Sequence, residues 1–93
     1  MAVQVRIPTI LRRYTGEARI VEGKGDTLGD LFFDLDSRFT GIRGDLVTPA
    51  GELHRFVNIY VNDEDVRFLG GLATPIADGD TVTILPAVAG GAR

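Results

Sequence analysis

Leu28, Leu31, Phe32, Leu35 and Phe39 are spaced so that all five fall on one face of a helix. Thr27 stands where an N-cap belongs, and Asp30 three residues later fits a capping box. Asp30 and Asp34 fall on the opposite side, Asp36 and Arg38 flank the stripe, and Gly41 is the expected stop. Phe33 lies beside the stripe and is expected at the edge of the core, with a place in an interface as the other reading. A stripe this wide has to be covered by another element. The neighbouring segments alternate as strands do, so the helix is expected to lie across one face of a sheet.

Val3, Val5 and Ile7 alternate with Gln4 and Arg6, the period of a half-buried strand, and Pro8 stops it. Residues 10–16 read as a turn region. Residues from about Glu17 to Glu22 read as a second, weaker strand, giving a hairpin with a longish loop. Gly23 and Gly25 break the chain before the helix. Residues 41–55 read as a loop with a short helical turn near Asp45 and Leu46. Phe56 to Val61 is the strongest strand pattern. Asn62-Asp63-Glu64-Asp65 is expected to turn it, and Val66-Arg67-Phe68 to pair back briefly. Gly70-Gly71 opens another connection. Asp78-Gly79-Asp80 is a tight turn into a strand over Thr81 to Leu85, which Pro86 ends.

This order of elements describes an α+β domain. In a chain of 93 residues it fits a β-grasp roll: a mixed sheet, one main helix packed on one face, and the last strand beside the first in the middle. Residues 1–86 are expected to form that domain. Residues 87–93 are expected to form a flexible C-terminal tail.

The composition closes off several kinds of chemistry. There is no cysteine, so disulfides, thiolate catalysis and cysteine-held metals are excluded. A single histidine, His54, excludes a histidine metal cluster and a histidine-based triad, and no metal site is expected. His54 reads as a surface or packing residue. A formal net charge of -3 argues against nucleic acid, and Arg12-Arg13 is too short to form a basic patch. No apolar run approaches the ~20 residues that span a membrane. The N-terminal residues lack the pattern of a signal peptide, so a cytoplasmic location is expected.

The end of the chain, Pro86-Ala87-Val88-Ala89-Gly90-Gly91-Ala92-Arg93, has no bulky side chain but Val88 before the final arginine. Pro86, Ala87, Val88 and Ala89 would present the two glycines beyond the domain. Gly90 and Gly91 lack a Cβ and can pass through a narrow channel, and a glycine carboxylate is the least hindered acyl group a protein can offer. This suits a chain whose C-terminus is itself the reactive group; a terminus without function is the plain alternative. Asp63, Glu64 and Asp65 form an acidic cluster that reads as a solvated hairpin or as a contact steering a basic partner. Asp78 and Asp80 are explained by turn chemistry. Arg67, Phe68 and Leu72 are further interface candidates.

The run Asp78-Gly79-Asp80-Thr81-Val82-Thr83-Ile84-Leu85-Pro86 through Gly90-Gly91 resembles the end of the MoaD/ThiS family of ubiquitin-like sulfur carriers. Ile7-Pro8-Thr9-Ile10-Leu11-Arg12, Gly25-Asp26-Thr27-Leu28-Gly29, Leu53 to Phe68 and Gly70-Gly71-Leu72-Ala73-Thr74 resemble its CysO-type branch, used in cysteine biosynthesis. The resemblance implies a carrier without catalytic side chains of its own and with no bound cofactor. It implies that an E1-like adenylyltransferase/sulfurtransferase uses ATP to adenylate Gly91, and that sulfur replaces AMP to leave a thiocarboxylate. A pyridoxal-phosphate (PLP)-dependent cysteine synthase would then use the sulfur.

Ala92 and Arg93 depart from the simplest members, which stop at the second glycine. They would have to be removed, by a zinc-dependent JAMM-type peptidase on this reading; an engineered remnant is the other explanation for them. The resemblance leaves the acceptor open between cysteine, molybdopterin (as the small subunit of its synthase) and a thiosugar or thiamine pathway. Covalent protein modification and a non-covalent β-grasp binding module are the competing functions.

Overall fold

The computed structural model describes residues 2–87. The alternation at the N-terminus builds β1 (Val3–Arg6), with Val3 and Val5 buried and Gln4 and Arg6 exposed. It is followed by a 3-10 helix, Thr9–Tyr14, where the sequence read only as a turn, and Leu11 from this helix is buried. β2 (Ile20–Gly23) begins later than expected, because Gly16 and Glu17 take positive φ angles of 64° and 71° and prolong the turn.

The helix forms as the apolar spacing requires. α1 (Leu28–Arg38) starts at Thr27, whose hydroxyl accepts a 3.2 Å hydrogen bond from the Asp30 amide. The reciprocal half of the capping box is missing among the described residues, since the Asp30 side chain is one methylene shorter than the usual glutamate. Leu28, Leu31, Phe32 and Leu35 are fully buried, and Phe39 is partly buried against the same core. Phe33 is 59% exposed, which corrects its expected place at the core edge. It lies outside the buried stripe and carries the Arg43 guanidinium 4.1 Å from its ring centre. Gly41 does not itself cap α1. With φ 99° it opens the short α2 (Ile42–Leu46), and the Asp36 carboxylate accepts from the amides of Gly41 and Arg43 at 3.0 and 3.1 Å.

β3 (Val57–Val61) runs into a two-residue turn at Asn62 and Asp63, both at positive φ (50° and 74°). Glu64–Asp65 is the returning strand β4, pairing with Val61 and Tyr60. The expected pairing of Val66-Arg67-Phe68 is therefore corrected: these residues form a 3-10 helix. The Asp65 carboxylate accepts the Arg67 amide at 2.9 Å and bends the chain out of the ladder. β5 (Thr81–Pro86) is the last strand.

The sheet order is β2-β1-β5-β3-β4. β5 lies in the middle, parallel to β1 and antiparallel to β3. Val5 stands opposite Val21 and Val82, Val82 opposite Val61, and Ile84 opposite Ile59. These rows face α1 and make one core. The parallel β1–β5 pair needs a long crossover, and everything from β2 to the turn before β5 supplies it. The arrangement is the β-grasp, ubiquitin-like roll expected from the order of elements.

Candidate functional site

β5 determines where the chain leaves the domain. Its register opposite β3 ends with Leu85 facing Asn58 and Pro86 facing Val57. Proline has no N–H to donate, yet the ladder continues one step: the Ala87 amide donates to the Phe56 carbonyl at 2.8 Å. Pro86 is exposed and Ala87 half-buried at this exit. Val88, Ala89, Gly90, Gly91, Ala92 and Arg93 lie outside the described residues.

Two surfaces flank the exit. On the helix side is a cleft of about 260 Å³ lined by residues including Ile10, Leu11, Asp45, His54 and Phe56. His54 sits in its wall, half-buried, with its ring 5.1 Å from that of Phe56. The charges here are already matched: Asp45 accepts from the Arg13 guanidinium at 3.0 Å and from the Tyr14 hydroxyl at 2.8 Å. The hydrogen bond between Arg13 and the Tyr14 hydroxyl holds that guanidinium above its ordinary pKa, so it stays charged. On the open face of the sheet is a shallow groove of about 300 Å³ whose lining includes Arg6, Arg12, Arg19, Ile20, Thr83 and Leu85. The sequence alone did not single out these arginines. Arg12-Arg13 is too short for a basic patch along the chain, but the fold sets Arg6 and Arg19 beside Arg12, and the outward phase of Arg6 in β1 was a further signal.

The other candidates do not gather into one patch. Asp63 and Glu64 sit at the hairpin beyond Val61, which pairs with Val82 near the start of β5. The tail leaves beside Val57, about 13 Å away along β3 at ~3.3 Å per residue. Asp65 caps the following 3-10 helix and lies 3.9 Å from Arg67. Arg67 reaches back along β3 to the Val57 carbonyl and the Asn58 side chain, toward the exit end. Phe68 is 87% exposed. Leu72 is half-buried against the core, with its backbone close to Gly29 at the start of α1.

Asp78 and Asp80 are occupied by the turn before β5. Asp78 accepts from the Ala2 amide at 2.5 Å, and Asp80 from the Ala77 amide and the Asn62 side chain at 2.8 and 2.9 Å. Among the described residues, no three His, Asp or Glu side chains gather as a metal-ligand set. No helix among them is long and apolar enough to cross a membrane.

The sequence profile of the ThiS family matches residues 5–91. The chain is 64% identical over 93 residues to the sulfur carrier protein CysO of Mycobacterium tuberculosis, covering 98% of this chain and 100% of that protein. The crystal structure of M. tuberculosis CysO superposes with a TM-score of 0.90, covering 92% of this chain and 99% of that one. A crystal structure of the BexX/CysO complex of Amycolatopsis orientalis also matches, with a TM-score of 0.90 and 59% identity, covering 97% and 100% of the two chains. Small archaeal modifier protein 3 of Haloferax volcanii is 34% identical over 93 residues, with 98% of this chain and 100% of that protein covered. With the β-grasp roll, the central β5 and the Gly-Gly sequence beyond it, the chain belongs to the ThiS family.

Proposed function

We propose that this chain is a sulfur carrier whose reactive group is the C-terminal carboxylate of Gly91, exposed once the residues after it are removed. The observation that carries the reading is the position of β5. It is the central strand, locked between β1 and β3, and its ladder ends at Ala87, only four residues short of Gly91. A rigid domain thus ends beside a short segment of small residues. The similarity to CysO over nearly the whole chain supports the same reading.

The chemistry follows from the group presented. A carboxylate is a poor electrophile. Attack of one carboxylate oxygen of Gly91 on the α-phosphorus of ATP releases pyrophosphate and leaves an acyl adenylate with a good leaving group. A sulfur nucleophile held by the activating enzyme then displaces AMP. With hydrosulfide as that nucleophile, the C–S bond forms as the C–O bond to AMP breaks, and AMP leaves. Loss of the S–H proton gives a thiocarboxylate, which is ionised at neutral pH and is a soft nucleophile. The carrier supplies the acyl end and a docking surface; ATP and the catalytic groups belong to its partners. The sulfur goes to cysteine by way of a PLP-dependent synthase, and a zinc-dependent peptidase exposes Gly91. Pathway and partners follow the CysO likeness.

Intact-mass spectrometry of the untagged protein from its own host tests this. A chain ending at Gly91 with one oxygen replaced by sulfur is the expected species, and a cysteine adduct would identify the acceptor. A homogeneous chain ending at Arg93, together with no adenylation of a chain cut back to Gly91, would sink the proposal.

A second reading, covalent modification of other proteins, is favoured by the likeness to a small archaeal modifier. It predicts isopeptide bonds between Gly91 and target lysines, visible after cleavage at Arg67 as lysines carrying residues 68–91.

A further inference from the structure

We infer that the open-face groove bounded by Arg6, Arg12 and Arg19 is the docking surface for an acidic segment, with an apolar side chain at its tip, on the enzyme that adenylates the tail. This rests on the carrier reading above.

Distance limits where that enzyme can sit. The span from the Ala87 amide to the Gly91 carboxylate is five residues, so that carboxylate lies at most about 18 Å from the last ladder bond at ~3.5 Å per residue. An enzyme that holds this carboxylate must cover the exit end of the sheet. Among the described residues, the helix-side cleft and the open-face groove both border the exit.

Charge distinguishes the two. The cleft's Arg13 already has Asp45 at 3.0 Å and the Tyr14 hydroxyl. Among the described residues, the arginines of the groove face no such partner. The ion pairs within 4.0 Å among the described residues involve Arg13, Arg38 and Arg67, and none involves Arg6, Arg12 or Arg19. Asp63 borders the adjoining stretch of the same face beside Arg6, without an ion pair to it.

Three unmatched cations around one groove run against the rest of a chain with formal charge -3. Arg12 is tethered there by a 3.2 Å hydrogen bond from Nε to the Ile7 carbonyl. The floor is apolar, with Ile20 50% and Leu85 45% exposed. A partner fits this surface by placing carboxylates over the arginines and an apolar side chain against Ile20 and Leu85. The charges speed and orient the encounter, and the apolar contact supplies the area to be desolvated. Leu85 is also two residues before Ala87, so docking here orients the start of the tail.

The test is ATP–pyrophosphate exchange by the host's activating enzyme, with the chain ending at Gly91 as substrate. Arg6→Glu and Arg19→Glu change exposed side chains and leave the core intact. Each is expected to raise KM for the carrier about tenfold with little change in kcat, a loss in the range for a charged contact. Added salt should raise KM for the unmodified carrier and much less for the variants.

Lys24→Glu makes the same charge change at the opposite end of the sheet, beside Gly23 and its partner Val3. It should leave KM unchanged. The inference is overturned if Arg6→Glu and Arg19→Glu behave like Lys24→Glu, or if Ile10→Ser and Phe56→Ser on the helix side raise KM instead. Exchange with the unmodified chain but no effect of the reversals would leave the carrier function standing without this docking surface. No exchange with the unmodified chain would remove both.

Discussion

The amide of Ala87 donates a 2.8 Å hydrogen bond to the carbonyl oxygen of Phe56, one residue past a proline that cannot donate at all. The central strand is thereby clipped to β3 at the point where the chain leaves the sheet. Phe56 itself is 56% exposed and lines the cleft on the helix side. The exit has a fixed origin and direction, which suits a chain end that is inserted into another protein.

Ala87→Pro removes that donor. The expected loss is about 0.5–1.5 kcal/mol of stability, the net value of one such bond. It is read from urea unfolding, alongside a rise in KM for adenylation of the chain ending at Gly91. Unchanged values of both would mean that the bond does not orient the tail.

Leu31→Ala and Ile59→Ala each remove a buried side chain, one from α1 and one from the β3 row that faces it. Each should cost about 2–5 kcal/mol, since a cavity is left among well-packed neighbours. Denaturant midpoints give the answer, and a near-zero shift at either site would contradict the packing described.

Gly25→Ala is expected to destabilise by about 1–3 kcal/mol, the usual range for overpacking. A Cβ at this position would lie 2.6 Å from the Leu31 backbone nitrogen, so a helix or a loop has to move. Gly44→Ala, where a Cβ meets nothing within 4 Å, serves as the comparison and should be neutral or slightly stabilising. Equal melting temperatures for the two variants would show that the close approach is not real.

Asn62 joins the β3–β4 hairpin to the turn before β5. Its side-chain amide donates to Asp80 at 2.9 Å, and its side-chain oxygen accepts from the Thr81 amide at 2.9 Å. It also holds a positive φ of 50°, which asparagine tolerates better than most residues. Asn62→Ala should lose about 1–3 kcal/mol. Hydrogen exchange should quicken at the amides of Asn62 and Thr81 while those in β1 keep most of their protection. Uniform quickening throughout the sheet would mean that the residue acts on global stability alone.

Much of the fold was legible before the structure. The spacing of Leu28, Leu31, Phe32 and Leu35 defined α1 because side chains three and four residues apart share a helix face. The strands β1, β3 and β5 stood out because inward and outward residues alternate. The errors fell where side chains redirect the backbone. Asp65 turned Val66–Phe68 into a 3-10 helix instead of a strand, and the positive φ of Asn62 and Asp63 made a two-residue hairpin out of an expected four-residue turn. Strand propensity is a weak guide against such local hydrogen bonds.

The sequence by itself determined the elements, their order, the inward faces and the glycines after β5, because these depend on backbone chemistry and periodicity over a few residues. Only the tertiary structure decided which surfaces meet the tail. Pairing β1 in parallel with β5 placed Arg6 opposite Thr83 and opened the arginine-lined groove beside Leu85. The register of β3 carried Asp63 and Glu64 to the far end, away from the exit. Those neighbours are far apart in the chain. Their contact depends on sheet order and register, which no local pattern encodes.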